Sequence, residues 1–230
     1  QTCALPISVG YQAGYSNTTG GVTAFGYKSL YSNLTGTSNS AFGDYAGQAS
    51  TGSYNTLLGS QAGFTVTGSS NVLAGYQAGN NATFSGSYNV GIGQQALFNN
   101  TTASNNTAIG YQAGYSTTIG GGNALLGYQA GYAVTGINNV AIGNIASGSG
   151  TLAGNYNVVI GYSAGRVTTG ADNTFVGALS GNNNTSGNYN TAIGRESLTS
   201  NTTASNNTAV GYQSLYSNTT GSELTAVGRE

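Results

Sequence analysis

The sequence predicts an all-β fold: a parallel β-solenoid, or thin β-roll, of about 13 coils with a 16–18-residue repeat and two short strands per coil. Three observations predict it. Glycine recurs as an anchor at Gly10, Gly26, Gly43, Gly59, Gly75, Gly93, Gly110, Gly127, Gly143, Gly161, Gly177, Gly194, Gly211 and Gly228, with every spacing between 16 and 18 residues. The residue before each anchor is always apolar, which separates the chain from a disordered Gly- and Asn-rich polymer. Asn stands four residues before the anchor in eleven consecutive repeats.

Each position of the repeat carries an expectation. The apolar residue before the anchor is assigned to the core, giving the column Phe25, Phe42, Leu58, Ile92, Ile109, Leu126, Ile142, Ile160, Val176, Ile193 and Val210. Strand alternation sends the Thr or Val two residues earlier, such as Thr107 or Val140, to the same face. The residue between them, usually Ala as at Ala108, is then directed outward. An outward column that is apolar in every coil suggests a covering surface from another chain or layer.

The recurrent Asn39, Asn55, Asn71, Asn89, Asn106, Asn123, Asn139, Asn157, Asn173, Asn190 and Asn207 are expected to form a ladder. Identical amides stacked about 4.8 Å apart can hydrogen-bond along the axis, which satisfies them at a buried corner. After the anchor the purest sequence is Tyr-Gln-Ala-Gly-Tyr, as at 111–115 and 128–132. Its third place stays Ala or Ser from Ala13 to Ser197, which marks close approach of backbone on the wall opposite the core column. The remaining Asn-, Thr- and Gly-rich residues form the variable turn, where positive φ is supplied and length drift is absorbed.

Composition excludes several functions. Charged residues make up 4% of the chain and the net charge is -1, with Lys28, Arg166, Arg195 and Arg229 as its only cations, so no basic footprint for nucleic acid exists. No apolar run approaches the roughly 20 residues that span a bilayer, so no membrane insertion is expected of this fragment. There is no His, and the few acids Asp44, Asp172, Glu196, Glu223 and Glu230 never recur in adjoining coils. Paired carboxylates and calcium-binding repeats are absent from the pattern, so no enzyme, catalytic residue, metal or cofactor is expected.

Residues 1–8 match nothing else and hold the only Cys and the only Pro. They read as a translated sequencing-library adapter, hence a metagenomic fragment, or as an atypical leader. Residues 9–230 then form one repetitive domain, uncapped at both ends.

Two surface features are candidates for contact. Outward-facing Ala108, Tyr111, Tyr115, Tyr128, Tyr132 and Tyr212 belong to rows that could pack a neighbouring filament or receive sugar rings, although stacking on one another explains such rows as well. Asn17, Asn33, Asn81, Asn100, Asn201 and Asn218 each begin an Asn-x-Ser/Thr triplet, making them candidate glycan acceptors. A Thr array would suit ice, but an inward Ile column places the Thr inward as well.

The Asn-Thr-Ala-Ile-Gly core, as at 106–110, with a small residue following it, resembles the head repeats of trimeric autotransporter adhesins and related repeats of phage tail-fibre-like and bacterial surface proteins. The resemblance covers residues 9–230 and implies a left-handed parallel β-roll. It departs from the adhesin heads in a longer period and a Tyr-rich second segment. The expected function is a structural or adhesive fibre at the cell surface or outside the cell, self-associating end to end or as a trimer. A phage tail-fibre shaft and a carbohydrate-binding module are the alternatives.

Overall fold

The computed structural model describes residues 6–18, 20–81 and 83–229. The chain is all-β, with no helix among the described residues, a parallel β-solenoid of about 13 turns with a spacing of about 17 residues. It divides into two compact units, Gln1–Ile119 and Gly120–Glu230.

The first unit contains β1 (Ile7–Val9), β2 (Thr23–Phe25), β3 (Ser40–Phe42), β4 (Thr56–Leu58), β5 (Val72–Ala74), β6 (Val90–Ile92) and β7 (Thr107–Ile109). Each strand pairs in parallel with the next, and equivalent repeat positions lie side by side, as in Thr56↔Val72 and Leu58↔Ala74. Ile7 and Ser8 take part, pairing with Thr23 and Ala24, so the boundary expected at residue 8 falls inside β1. Residues 1–5 lie outside the described residues.

The second unit contains β8 (Ala124–Leu126), β9 (Ala133–Val134), β10 (Val140–Ile142), β11 (Thr151–Leu152), β12 (Val158–Ile160), β13 (Thr174–Val176), β14 (Thr191–Ile193), β15 (Thr208–Val210) and β16 (Thr225–Val227). Here β8, β10 and β12 to β16 form the parallel stack, and β9 and β11 make a separate two-stranded pair.

A second strand in every coil is expected over the Tyr-Gln-Ala-Gly-Tyr segment, but the only additional strands among the described residues are β9 and β11, and both lie past that segment. Elsewhere that wall is built of turns. Ala46 N–H donates to the Gly43 carbonyl at 3.2 Å, and Ser50 N–H to the Gly47 carbonyl at 3.0 Å, so one tight turn follows another. The backbone is left-handed at the second residue after the anchor, for example Gln61 (φ 58) and Gln77 (φ 56), which is incompatible with an extended strand. Coils still join there, since Gly47 N–H donates to the Ala62 carbonyl at 2.9 Å.

The strands face the opposite way from the sequence expectation. Phe25, Phe42, Leu58, Ile92, Ile109, Leu126, Ile142, Ile160, Val176, Ile193 and Val210, assigned to the core, are exposed or half-buried, whereas the mid-strand residue is buried. Ile109 is 38% exposed and Ala108, expected outside, is 0% exposed. The cause is the width of the coil. Alternation allows either face inward, and the wall opposite, lined by buried Ala46, Ala62, Ala78, Ala96 and Ser180, leaves too little room for a large side chain in every coil. Coil backbones also touch: a Cβ on Gly59 (φ +124) would stand 2.8 Å from the Gly75 carbonyl oxygen.

Larger interior side chains occupy mid-strand or the position six residues later, never both in one coil. Where Leu57, Leu73, Leu125, Val159 or Phe175 occupies mid-strand, the residue six positions later is Gly63, Gly79, Gly131, Gly165 or Gly181. Where Leu30, Leu97 or Leu198 takes the later position, mid-strand shrinks to Ala24, Gly91 or Ala192. All three of these leucines are buried despite left-handed backbones, with φ 47, 53 and 51, and their burial offsets that conformational cost.

Candidate interaction surface

The Asn ladder is present in both units and buried throughout. In the first, the backbone N–H groups of Asn55, Asn71, Asn89 and Asn106 donate to Oδ1 of the preceding ladder Asn at 2.8–3.0 Å. In the second, Asn139, Asn157, Asn173, Asn190 and Asn207 do the same at 2.8–3.0 Å. The amide Nδ2 reaches across the corner, as from Asn89 to the Ala103 carbonyl at 3.0 Å. One side chain thus closes the corner and couples two coils, a structural role.

A second Asn column lies seven residues after the anchor and contains five of the candidate glycan acceptors. Asn33, Asn100 and Asn201 are fully buried, and their Nδ2 groups donate to the carbonyls of Gly36, Ala103 and Ala204 at 2.8–3.1 Å. A glycan needs that nitrogen free and exposed, so these three are not acceptors in the folded chain. Asn17 and Asn218 continue the column, accepting from Asn33 at 3.2 Å and donating to Asn201 at 3.4 Å. The column is interrupted by Ser50 and Val66, and Asn33 Oδ1 accepts no hydrogen bond from the described residues. Asn81 stands outside it, its Oδ1 accepting from Thr83 N–H and Oγ1, both at 2.8 Å. A third, unforeseen ladder runs over the turn wall, where Gln77, Gln95 and Gln112 each donate to the preceding Gln at 2.8–3.1 Å.

The outer strand face is what remains available for contact. In every coil it presents the first and third strand residues, so rows of Thr or Val run beside rows of Ile, Val, Leu or Phe. Thr56, Thr107, Thr174, Thr191 and Thr208 are therefore outward, and the ground for setting an ice-like partner aside does not hold. Among the described residues no strand residue on this face is charged; Lys28, Asp44, Arg166, Arg195 and Glu196 lie in the turns and Arg229 follows the last strand. Along the face Phe25 and Phe42 stack at 5.2 Å.

Of the remaining contact candidates, Tyr111, Tyr128 and Tyr212 are exposed, while Tyr115 and Tyr132 are half-buried. Tyr115 stacks on Phe98 at 5.1 Å, and Arg229 lies over the Tyr212 ring at 5.3 Å. Tyr11 stacks on Tyr27 and Tyr15 on Tyr31, both at 5.4 Å, so much of each aromatic row is spent on its own members. A hydrogen bond with Tyr27 holds the Tyr45 hydroxyl above the usual phenol range. Among the described residues no three His, Cys, Asp or Glu side chains gather around a possible metal position. No protein-family model, curated protein or solved structure significantly matches the chain.

Proposed function

We propose that the chain is a non-enzymatic structural solenoid whose outer strand face packs against further copies of itself, forming the rigid part of an extracellular fibre. One observation carries this reading: the residue before the anchor is apolar and half-buried or exposed in every described coil, with no charge on the strands beside it. Seven three-residue strands about 4.8 Å apart give each unit an outer face of roughly 350 Å², comparable to the largest surface patch of a typical monomer, which is often functional. The resemblance to adhesin head repeats favours three copies at a cell surface; a phage tail-fibre shaft would use the same face. The test is the mass in solution of the 22.9 kDa chain beside that of the triple variant I92S/I109S/I142S. The expected result is a defined multimer that the variant reduces to a folded monomer. A wild-type monomer at high concentration overturns the reading.

The outward Thr rows favour a second reading, in which the same flat uncharged face meets ordered water at an ice surface. Inhibition of ice recrystallisation by a monomeric chain, lost on changing Thr107, Thr191 and Thr208 to Lys, would support it over self-association.

A further inference from the structure

We propose that Tyr11 with Tyr27, and Tyr15 with Tyr31, are sites of oxidative phenol coupling that staple the first two coils together covalently. Both pairs lie on the turn wall, away from the strand face, so the inference is independent of self-association. In each pair the rings are stacked at 5.4 Å between centroids and lie 11° from parallel, so the two phenols are held side by side.

The partners differ in freedom. Tyr11 and Tyr15 are 65% and 67% exposed and can pivot about their two side-chain torsions. Tyr27 and Tyr31 are held by Lys28, whose ammonium lies 5.3 Å and 5.5 Å from their ring centres. A mobile ring therefore stands over a fixed one. The chain contains no Met, Trp or His, so among the described residues tyrosine is the side chain an oxidant reaches first.

The co-reactant is hydrogen peroxide, used by a haem peroxidase as the one-electron oxidant. Each phenol loses one electron and its hydroxyl proton, and the two radicals join at the ring carbons ortho to oxygen. The two displaced ring hydrogens return to the phenol oxygens. One C–C bond forms, two C–H bonds break, and one peroxide is reduced to two waters. Rings held in one molecule at millimolar effective concentration or above should couple on the order of a thousandfold faster than micromolar chains couple with one another.

The experiment treats the C3S chain with peroxidase and peroxide at low micromolar concentration, isolates the monomer fraction and maps its peptides by mass spectrometry. The expected products are peptides linking Tyr11 to Tyr27 and Tyr15 to Tyr31, each lighter by two hydrogens than its parts. Tyr54, Tyr88, Tyr156 and Tyr189, whose equivalents in adjoining coils are not tyrosine, stay unlinked within the chain. The links disappear in Y27F/Y31F while the circular dichroism of the fold is kept. A monomer fraction in which Tyr11, Tyr15, Tyr27 and Tyr31 remain uncoupled, although peroxide is consumed, overturns the proposal.

Discussion

A Cβ placed on Gly63 would stand 2.5 Å from Cδ2 of Leu57, because Leu57 fills the interior at the place where Gly63 has no side chain. The same exclusion relates Phe175 to Gly181, where the added Cβ would meet three ring carbons at 2.6–2.7 Å. In the coils that place a large side chain at either of these two positions, it comes from the strand or from the turn wall but never from both, so the two positions trade volume.

Exchanging the source within one coil tests that relationship. Ala192→Leu alone overfills the coil that already contains buried Leu198 and should cost about 1–3 kcal/mol. Leu198→Gly alone opens a cavity and should cost about 2–5 kcal/mol, lessened by relief of its left-handed backbone (φ 51). The double variant should recover most of both losses, since it recreates the Leu57–Gly63 arrangement. Urea midpoints of the four chains measure the coupling, and simple additivity of the two costs would contradict a shared interior volume.

Asn89→Ala should be among the most damaging single changes in the first unit. It removes the acceptor for Asn106 N–H at 3.0 Å and for Asn106 Nδ2 at 3.2 Å, and the donor to the Ala103 carbonyl at 3.0 Å. Buried groups left without partners cost about 1–3 kcal/mol each. Two such groups imply a loss of a few kcal/mol, readable as a lower thermal midpoint. Thr102→Ala, at an exposed position between Asn89 and Asn106, is the control and should change stability far less.

Period, parallel stacking and the Asn ladder were legible because each rests on identity repeated at fixed spacing. Asn89 and Asn106 needed only that regularity to be paired. Which strand face turns inward is not legible from the Ile109 column itself, because alternation is symmetric and bulk alone does not decide burial. The volume exchange between Leu57 and Gly63, or Ala192 and Leu198, is written in the sequence and would have placed the mid-strand residue inside. The turn wall was misread as strand because Gln61 and Gln77 adopt positive φ, unusual for glutamine, where their amide ladder and coil-to-coil backbone bonds hold them. The buried state of Asn33 and Asn201 was hidden for the opposite reason: an acceptor triplet is a local pattern, whereas burial depends on neighbouring coils.

Ile109→Ser should separate the two faces of β7. On the outer face it should change the stability of a dissociated chain by no more than about 0.5–1 kcal/mol, while weakening any assembly that covers Ile109. Ala108→Ser on the inner face should cost more, because its hydroxyl enters a fully buried site with no bonding partner provided. Unfolding in denaturant at a concentration where the chain is monomeric compares the two, and a larger loss for Ile109→Ser would restore the inward assignment of that column.

Acid sensitivity should be small and should concentrate at Glu196. Its carboxyl is held below the usual carboxylate range, first by Gln213 Nε2 donating at 2.7 Å and then by Arg195, whose guanidinium lies 2.9 Å away. A carboxylate with a lowered folded pKa contributes stability above its unfolded value of about 4.3, and that contribution is lost as pH falls through the folded value. The thermal midpoint of wild type should therefore exceed that of Glu196→Gln by a constant margin from pH 8 down to about 5, and the two should converge below about 4. Arg195 is largely exposed, so salt should shrink the margin at neutral pH. A gap that persists at pH 2, with Glu196 protonated, would place the effect in side-chain shape rather than in charge.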